Sequence, residues 1–535
     1  MNLSRLAHLS IRSRCLCIFL VFLGFLLLSS TVTLAASSVN VPLDSWVYEA
    51  LDALEGYGLI DTALHSTRPY TKLETARLAG EAIKNWEAQI SRQKPIGFGE
   101  QELIPTLLNR FKREFQVELV ELGILEGSRS ASFLKPVDEI NFKYIFQTDN
   151  PVVRPQLGNQ PPTQRIPPIY NNDGIVYQKG TSFLTEIRGE ARFWNHFSFY
   201  YQPIFKAFEG EGAKVELEKG YLKAEAFNVE IEVGRDSLWW GPGRNGALLM
   251  TNNAQPFDLV KFSNSQLLQL PLLGLFKFNL FLSKLDNLKP SVPNPQLYGL
   301  HLNFKPHPNF EVGLSQIAIF GGEGTKISLG DYSRILYSNQ NYEGNLESNQ
   351  QVSVDFAWRW PNMGYYLPVA RSLKLYAEWG AEDTGIFPDR RAYLLGFFLT
   401  DFLKMGRIGL RFEYANTTVP AVPWAWYTHG TYPPTYHGLL FGDHLGSNGE
   451  EFFARLTYNI STKILLGLDF DYAKQGFYKT NQTSSQQLGI DMIFLIRDRI
   501  NIKGRYILQG FYDPDKIAGG DRILHLFGLE CRWHF

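Results

Sequence analysis

The chain has 535 residues, a formal net charge of −1, 44% hydrophobic residues and 20% charged residues. A charge this close to zero leaves no electrostatic footprint for nucleic acid, and a mean hydropathy of −0.17 excludes a bundle of membrane-spanning helices. The aromatic load of 39 Phe, 26 Tyr and 11 Trp is high for a soluble enzyme, so the periodicity of the chain has to show where those rings go.

Residues 1–35 read as a secretory signal peptide. Arg5, Arg12 and Arg14 precede an apolar run from Ile18 to Leu28, and Thr33-Leu34-Ala35 fits a small-x-small cleavage site. Cys15 and Cys17 lie ahead of the apolar run, where no lipoprotein cysteine belongs. Their removal leaves Cys531 alone, so no intrachain disulfide is expected. No later segment has the roughly 18 apolar residues of a spanning helix.

Residues 36–130 carry helical spacing. Val47, Leu51, Leu54 and Leu59 follow Asp44-Ser45. Thr71-x-x-Glu74 reads as a capping box opening a helix with Leu73, Ala76, Ala79, Ile83 and Trp86. A third helix is predicted through Leu103, Leu107, Phe111, Phe115, Leu119 and Leu122, with Pro105 tolerated near its start. Asp44-Ser45-Trp46, Gly58-Leu59-Ile60 and Arg68-Pro69-Tyr70-Thr71-Lys72-x-Glu74 together resemble one S-layer homology module, with Lys72 where that family usually has Arg. The resemblance implies a periplasmic bundle that binds cell-wall polymer such as peptidoglycan. A plain helical plug, or a bundle docking on a capsule-export partner, is the alternative.

Beyond about Ile140 the period falls to 2. Phe527, Leu529, Cys531, Trp533 and Phe535 share one face while Glu530, Arg532 and His534 share the other; Ile408 to Tyr414, Leu373 to Trp379, Leu466 to Tyr472 and Ile500 to Leu508 alternate likewise. The strands are long enough to cross a bilayer at a tilt, their polar face carries full charges as in a wet lumen, and aromatics such as Phe197, Phe199, Tyr201, Phe452 and Tyr458 cluster at strand ends. Starts fall near 140, 183, 196, 213, 227, 257, 275, 296, 309, 350, 371, 391, 406, 451, 463, 486, 499 and 522. Long connections (148–182, 236–256, 286–295, 321–349, 381–390, 415–450, 474–485 and 510–521) alternate with tight ones at Trp194-Asn195, Phe227-Asn228, Lys305 to Pro308, Asn459 to Thr462 and Arg497-Asp498. This parity belongs to outer-membrane barrels. The expected fold is therefore an all-β transmembrane barrel of about 18 antiparallel strands over 131–535, preceded by the small α-helical periplasmic bundle. An even strand count puts that bundle and Phe535 on the periplasmic side. A terminal aromatic on an alternating strand resembles the signal read by the outer-membrane insertion machinery, with outer-membrane lipid around the wall.

One external connection carries Gly234-Arg235-Asp236-Ser237-Leu238-Trp239-Trp240-Gly241-Pro242-Gly243-Arg244-Asn245-Gly246, continuing to Met250-Thr251-Asn252-Asn253-Ala254-x-Pro256. With the architecture, this run resembles the Wzi capsule-assembly family. The resemblance implies an 18-strand outer-membrane lectin that holds capsular or exopolysaccharide at the cell surface. Trp239 and Trp240 can offer ring faces to sugars, while Arg235, Asp236, Arg244, Asn252 and Asn253 can hydrogen-bond hydroxyls or acidic sugars. The favoured alternative has the loop fold inward, the two Trp pack on the wall, and Arg235–Asp236 form a lumen ion pair. A second glycan candidate is 415–450, with Trp424, Trp426, Tyr427, Tyr432 and Tyr436; the alternative there is a plug over the pore. His429, His437, Asp443 and His444 match no metal-motif spacing, so no metal or cofactor is expected. Neither G-x-S-x-G nor H-E-x-x-H occurs, and Glu230/Glu232 and Asp469/Asp471 read as lumen charges balancing Arg and Lys, so no enzyme is expected. The rival reading is a wall-anchored, carbohydrate-permeable porin, since 18 strands enclose room for water.

Overall fold

The computed structural model describes residues 36–93, 97–154, 164–286, 292–337, 347–366, 368–382, 390–419, 422, 425–476, 482–496, 499–516 and 518–535. The signal-peptide reading, Trp424 and the Arg497-Asp498 turn lie outside them.

Eighteen strands form the wall: β1 Phe133–Gln147, β2 Gly180–Phe193, β3 Phe197–Phe208, β4 Gly212–Ala226, β5 Val229–Asp236, β6 Phe257–Asn264, β7 Gly274–Lys284, β8 Gln296–His307 and β9 Phe310–Phe320 in the first half. The second half is β10 Ser348–Trp360, β11 Ser372–Glu382, β12 Arg391–Thr400, β13 Ile408–Asn416, β14 Gly449–Ser461, β15 Ile464–Gln475, β16 Thr483–Ile496, β17 Ile500–Tyr512 and β18 Arg522–His534. Each strand pairs antiparallel with its neighbours in sequence, and β18 closes on β1 with Phe146 opposite Phe527 and Glu139 opposite His534. Closure leaves no unpaired edge, the condition for a sheet in lipid. Outward rings such as Phe527 and Trp533 stay exposed while inward Glu530 and Arg532 turn to the lumen, so the alternation read from sequence is the wall's two faces.

The strand starts agree with the sequence expectation to within three residues except at β1, which begins at Phe133 rather than near 140. The β1–β2 register shifts between Lys135 and Glu139, where Pro136 interrupts the alternation. Tight and long connections alternate for the most part; the exceptions are β3–β4, which is tight at the long-loop end, and β6–β7 and β10–β11, which are long at the short-turn end. The turns at Trp194-Asn195 and Phe227-Asn228 have left-handed φ at both residues (51° and 62°, 54° and 62°), the geometry that joins twisted strands through two residues. The longest connections, 148–179, 237–256, 321–347 and 417–448, all lie at the opposite end.

Among the described residues, four helices precede the wall: α1 Val47–Gly56, α2 Lys72–Ser91, α3 Phe98–Glu114 and α4 Gln116–Glu121. They share a core including Leu51, Leu54, Ala76, Ala79, Phe111 and Leu119. Two expectations change. The third predicted helix breaks at Phe115, whose backbone leaves helical geometry (φ −115°, ψ 29°). The capping box is half made: the Glu74 amide donates to Thr71 Oγ1 at 3.0 Å, but the Glu74 carboxylate pairs with Arg77 instead of reaching back.

This head sits in the short-turn end of the barrel. The Ser37 amide donates to the Asn195 carbonyl, Tyr57 Oη donates to the Gly406 carbonyl, and Lys72 pairs with Asp138 at 2.7 Å. Helix α3 approaches the β12–β13 turn so closely that a Cβ on Gly99 would lie 2.7 Å from Gly406 Cα.

Candidate functional site

The connection 237–256 leaves the long-loop end of β5 and turns down into the lumen, because Leu238, Leu248, Leu249 and Met250 have an apolar cluster to enter there. Trp239 and Trp240 make a two-residue antiparallel pair with Thr67 and Arg68, which the head pushes up from the other end. The Gly241 amide donates to the Ser66 carbonyl at 2.9 Å, and Arg68 Nη2 donates to the carbonyls of Gly241 (3.0 Å) and Gly243 (2.8 Å). Trp240 is fully buried, stacked on His301 with centroids 5.3 Å apart and edge-on to Phe281. Arg68 lies over the Trp239 ring. Head and loop thus meet inside the barrel.

Below this junction lies a charged cluster. Asp52 on α1 receives Lys374 (2.8 Å), Arg411 (2.9 Å) and Arg244 (2.8 Å), while Glu55 receives His65 (2.8 Å) and Lys374 (3.0 Å). Burial alone would raise both carboxyls. The surrounding groups, Arg244 and Lys374 at Asp52 and the hydrogen-bonded His65 and Lys374 at Glu55, hold both well below the usual carboxylate range. His65 is buried as well, which lowers its pKa below the ordinary 6.5 despite Glu55.

Lumen glutamates hold the loop backbones. Glu413 accepts from the amides of Arg244 and Asn245, Glu378 from Leu248, Glu382 from Tyr427, and Glu311 from His65 and Ser66, all at 2.6–3.0 Å. These charges were read as facing a wet lumen; on β9, β11 and β13 they are buried and occupied by backbone N–H groups. The alternation of Glu378 and Glu413 was legible in sequence, but their partners were not.

The predicted site residues fall into this packing. Arg244 joins the head. Asn252 Nδ2 donates to the Asn171 carbonyl (3.0 Å) and Asn253 Nδ2 to the Leu440 carbonyl (2.9 Å). Trp426 and Tyr427 are fully buried under 417–448; Tyr427 Oη donates to the Leu248 carbonyl and accepts from the Asp443 amide. Tyr432 Oη donates to the Gly321 carbonyl, and Tyr436 stacks on Phe257. None of these six aromatic rings (Trp239, Trp240, Trp426, Tyr427, Tyr432 and Tyr436) presents an open face; each is 5% exposed or less. The inward fold of 237–256 is as expected. The Arg235–Asp236 lumen pair is not: period 2 puts Arg235 outside, bonded to Asp258, while Asp236 faces inward and accepts from Asn40 Nδ2.

Glu230 and Glu232 pair with Lys223 and Lys261, and Asp469 with Arg455, so these carboxylates sit against cations. The three loop histidines do not converge. His429 accepts from the Tyr432 amide, His437 faces Asp286, and His444 bonds Glu451 at 2.8 Å. The head residues Asp52, Glu55, His65 and Ser66 were not singled out in sequence, since nothing local marks a contact made across more than a hundred residues.

The sequence profile of the capsule assembly protein Wzi matches residues 161–522. The chain belongs to the Wzi family. It is similar in fold to Wzi of Escherichia coli, an outer membrane protein involved in group 1 capsule assembly and a carbohydrate binding β-barrel. That similarity has 17% identity, a TM-score of 0.65, and covers 93% of this chain and 99% of that one. It is also similar to an uncharacterized 55.8 kDa protein in the cps region of Klebsiella pneumoniae, 24% identical over 193 residues. That match covers 35% of this chain and 37% of the relative, so little more than a third of the relative's length is spanned. Family and apolar outer wall together make this chain an outer-membrane β-barrel.

Proposed function

We propose that this barrel binds exported capsular or exopolysaccharide and retains it at the cell surface. The observation that carries the reading is the pairing of Thr67–Arg68 with Trp239–Trp240, by which the head and a long connection fill the lumen where an open pore would need a path. In this reading the long-loop end faces outward, and the head and Phe535 face the periplasm after removal of residues 1–35. Phe535, outward and half exposed, is the mark read on insertion. The head docks on peptidoglycan or on an export partner.

Glycan contact falls on the outer face of 417–448, where His429, Thr431 and His437 are accessible. The buried rings of Trp426, Tyr427, Tyr432 and Tyr436 hold that face in place, and Trp239, Trp240, Arg244, Asn252 and Asn253 hold the loop beneath. A glycan array with purified protein should give binding to acidic exopolysaccharide that falls in a Thr431→Ala/His437→Ala variant. A deletion strain should lose surface-bound but not secreted polysaccharide; normal retention in that strain overturns the proposal.

The porin reading keeps one supporting observation: inward Lys503, Arg505 and Glu530 are only half buried. Large, steady conductance in planar bilayers would favour it.

A further inference from the structure

Two buried clusters combine a histidine with two carboxylates: Asp52, Glu55 and His65 in the head, and Asp443, His444 and Glu451 beneath the outer loops. In the first, Lys374, Lys305, Arg411 and Arg244 already stand against the carboxylates at 2.8–3.6 Å, so protein cations neutralise it. The second differs. Among the described residues, neither Asp443 nor Glu451 has an ion pair with a lysine or arginine; His444 is the partner of both, at 3.8 and 2.8 Å. Asp471 adds a third carboxyl by hydrogen-bonding Glu451. All four side chains are 5% exposed or less. Asp443 Oδ1 accepts from the Leu445 amide, whereas its Oδ2 is buried with no hydrogen-bond partner. A buried carboxylate oxygen without a proton or cation against it is costly.

We propose that Asp443, His444 and Glu451 bind a divalent cation of the zinc class. One imidazole nitrogen with carboxylate oxygens is a donor set for such an ion, whereas calcium takes six to eight oxygens. The donor atoms lie within 4.8 Å of one another. Tetrahedral zinc sets its ligands roughly 3.3 Å apart, so they draw together by about an ångström. The surroundings orient them. Asn245 Nδ2 donates to Glu451 Oε2 at 3.0 Å, and the Tyr170 ring stacks on His444 at 3.9 Å. The ion ties loop 417–448 to the start of β14 and, through Asn245, to loop 237–256. It latches the outer half of the plug, independently of the Asp52 cluster.

The test uses untagged full-length protein in detergent, stripped with chelator and titrated with ZnCl2 by calorimetry, with metal counted by mass spectrometry. One zinc per chain is expected. X-ray absorption at the zinc edge should give a first shell of one imidazole nitrogen with oxygens for the rest. Asp443→Asn and Glu451→Gln should each weaken binding at least about tenfold, and His307→Gln, at an exposed histidine, should not. Heat-modified gel mobility shows whether each variant is folded. If a variant fails to fold, the absorption spectrum of the native chain decides. The proposal is overturned by less than stoichiometric zinc, a shell without imidazole, unchanged affinity in folded Glu451→Gln, or saturation by CaCl2 in place of zinc.

Discussion

Two stretches of the inner wall differ in what satisfies their charges. Along β4 to β11, inward Lys223, Glu232, His301, Glu311 and Asp355 are all but completely buried, and the head and loop 237–256 fill the space in front of them. Along the short-turn half of β14 to β18, inward Arg455, Lys503, Arg505, Glu530 and Arg532 are half buried. Higher up, Ile507, Leu524 and Leu526 are sealed against Ile175 and Tyr177. On the first wall each charge meets a protein group. On the second, Arg532–Glu530 (2.6 Å) and Arg505–Asp469 (3.6 Å) pair along the wall itself, Arg532 and Arg455 also reach Asp44 and Glu49 of the head, and the arginines and Glu530 keep contact with solvent. The head thus packs tightly against the first stretch and, among the described residues, reaches the second through Asp44 and Glu49.

Breaking the dry side should have the largest effect. Asp52→Ala leaves Arg244, Lys374 and Arg411 buried against one another, a loss of about 3–5 kcal/mol. The expected result is a lower unfolding midpoint on heat-modified gels and a new conductance in planar bilayers as the plug loosens. Trp240→Ala removes a fully buried ring between His301 and Phe281 and should cost about 3–5 kcal/mol through the cavity alone. Trp194→Ala, at an exposed turn, should leave the same midpoint unmoved.

Acid should act on the dry side through His65. Its folded pKa is lowered, so the unfolded chain binds the proton more readily. The stability it contributes is complete above 6.5 and is lost as pH falls through the lowered folded value. Asp52 and Glu55 are also lowered, and their contribution disappears only in stronger acid. The difference in thermal midpoint between the native chain and a His65→Gln variant should be constant above about pH 7 and shift against the native chain below 6.5. The smallest effect belongs to the wet side: Arg505→Ala should shift stability by less than about 1 kcal/mol, and added salt should shrink even that.

The wall was legible because its information is local. Inward and outward residues alternate strictly, so Phe527 and Glu530 declare their faces whatever lies opposite. Where a proline breaks that rhythm, at Pro136, the reading failed. The plug was legible only in outline. The run with two adjacent Trp reads as an external connection for which an inward fold is favoured, but the strand that meets it is Thr67-Arg68, about 170 residues away, with no periodicity of its own. Arg235 and Asp236 show the cost of reading neighbours as partners: adjacent residues on a strand point apart.

The two-residue pair between head and loop also has a mechanical consequence. Loop 417–448 is bonded to 237–256 through the Thr251 amide and the Phe441 carbonyl, and 237–256 is bonded to the head through Trp240 and Thr67. Tension applied to the outer loop therefore runs down one continuous chain of backbone bonds to the helices at the far mouth. Part of a pull on the long-loop end is thus borne by the helices at the short-turn end and not by the wall alone.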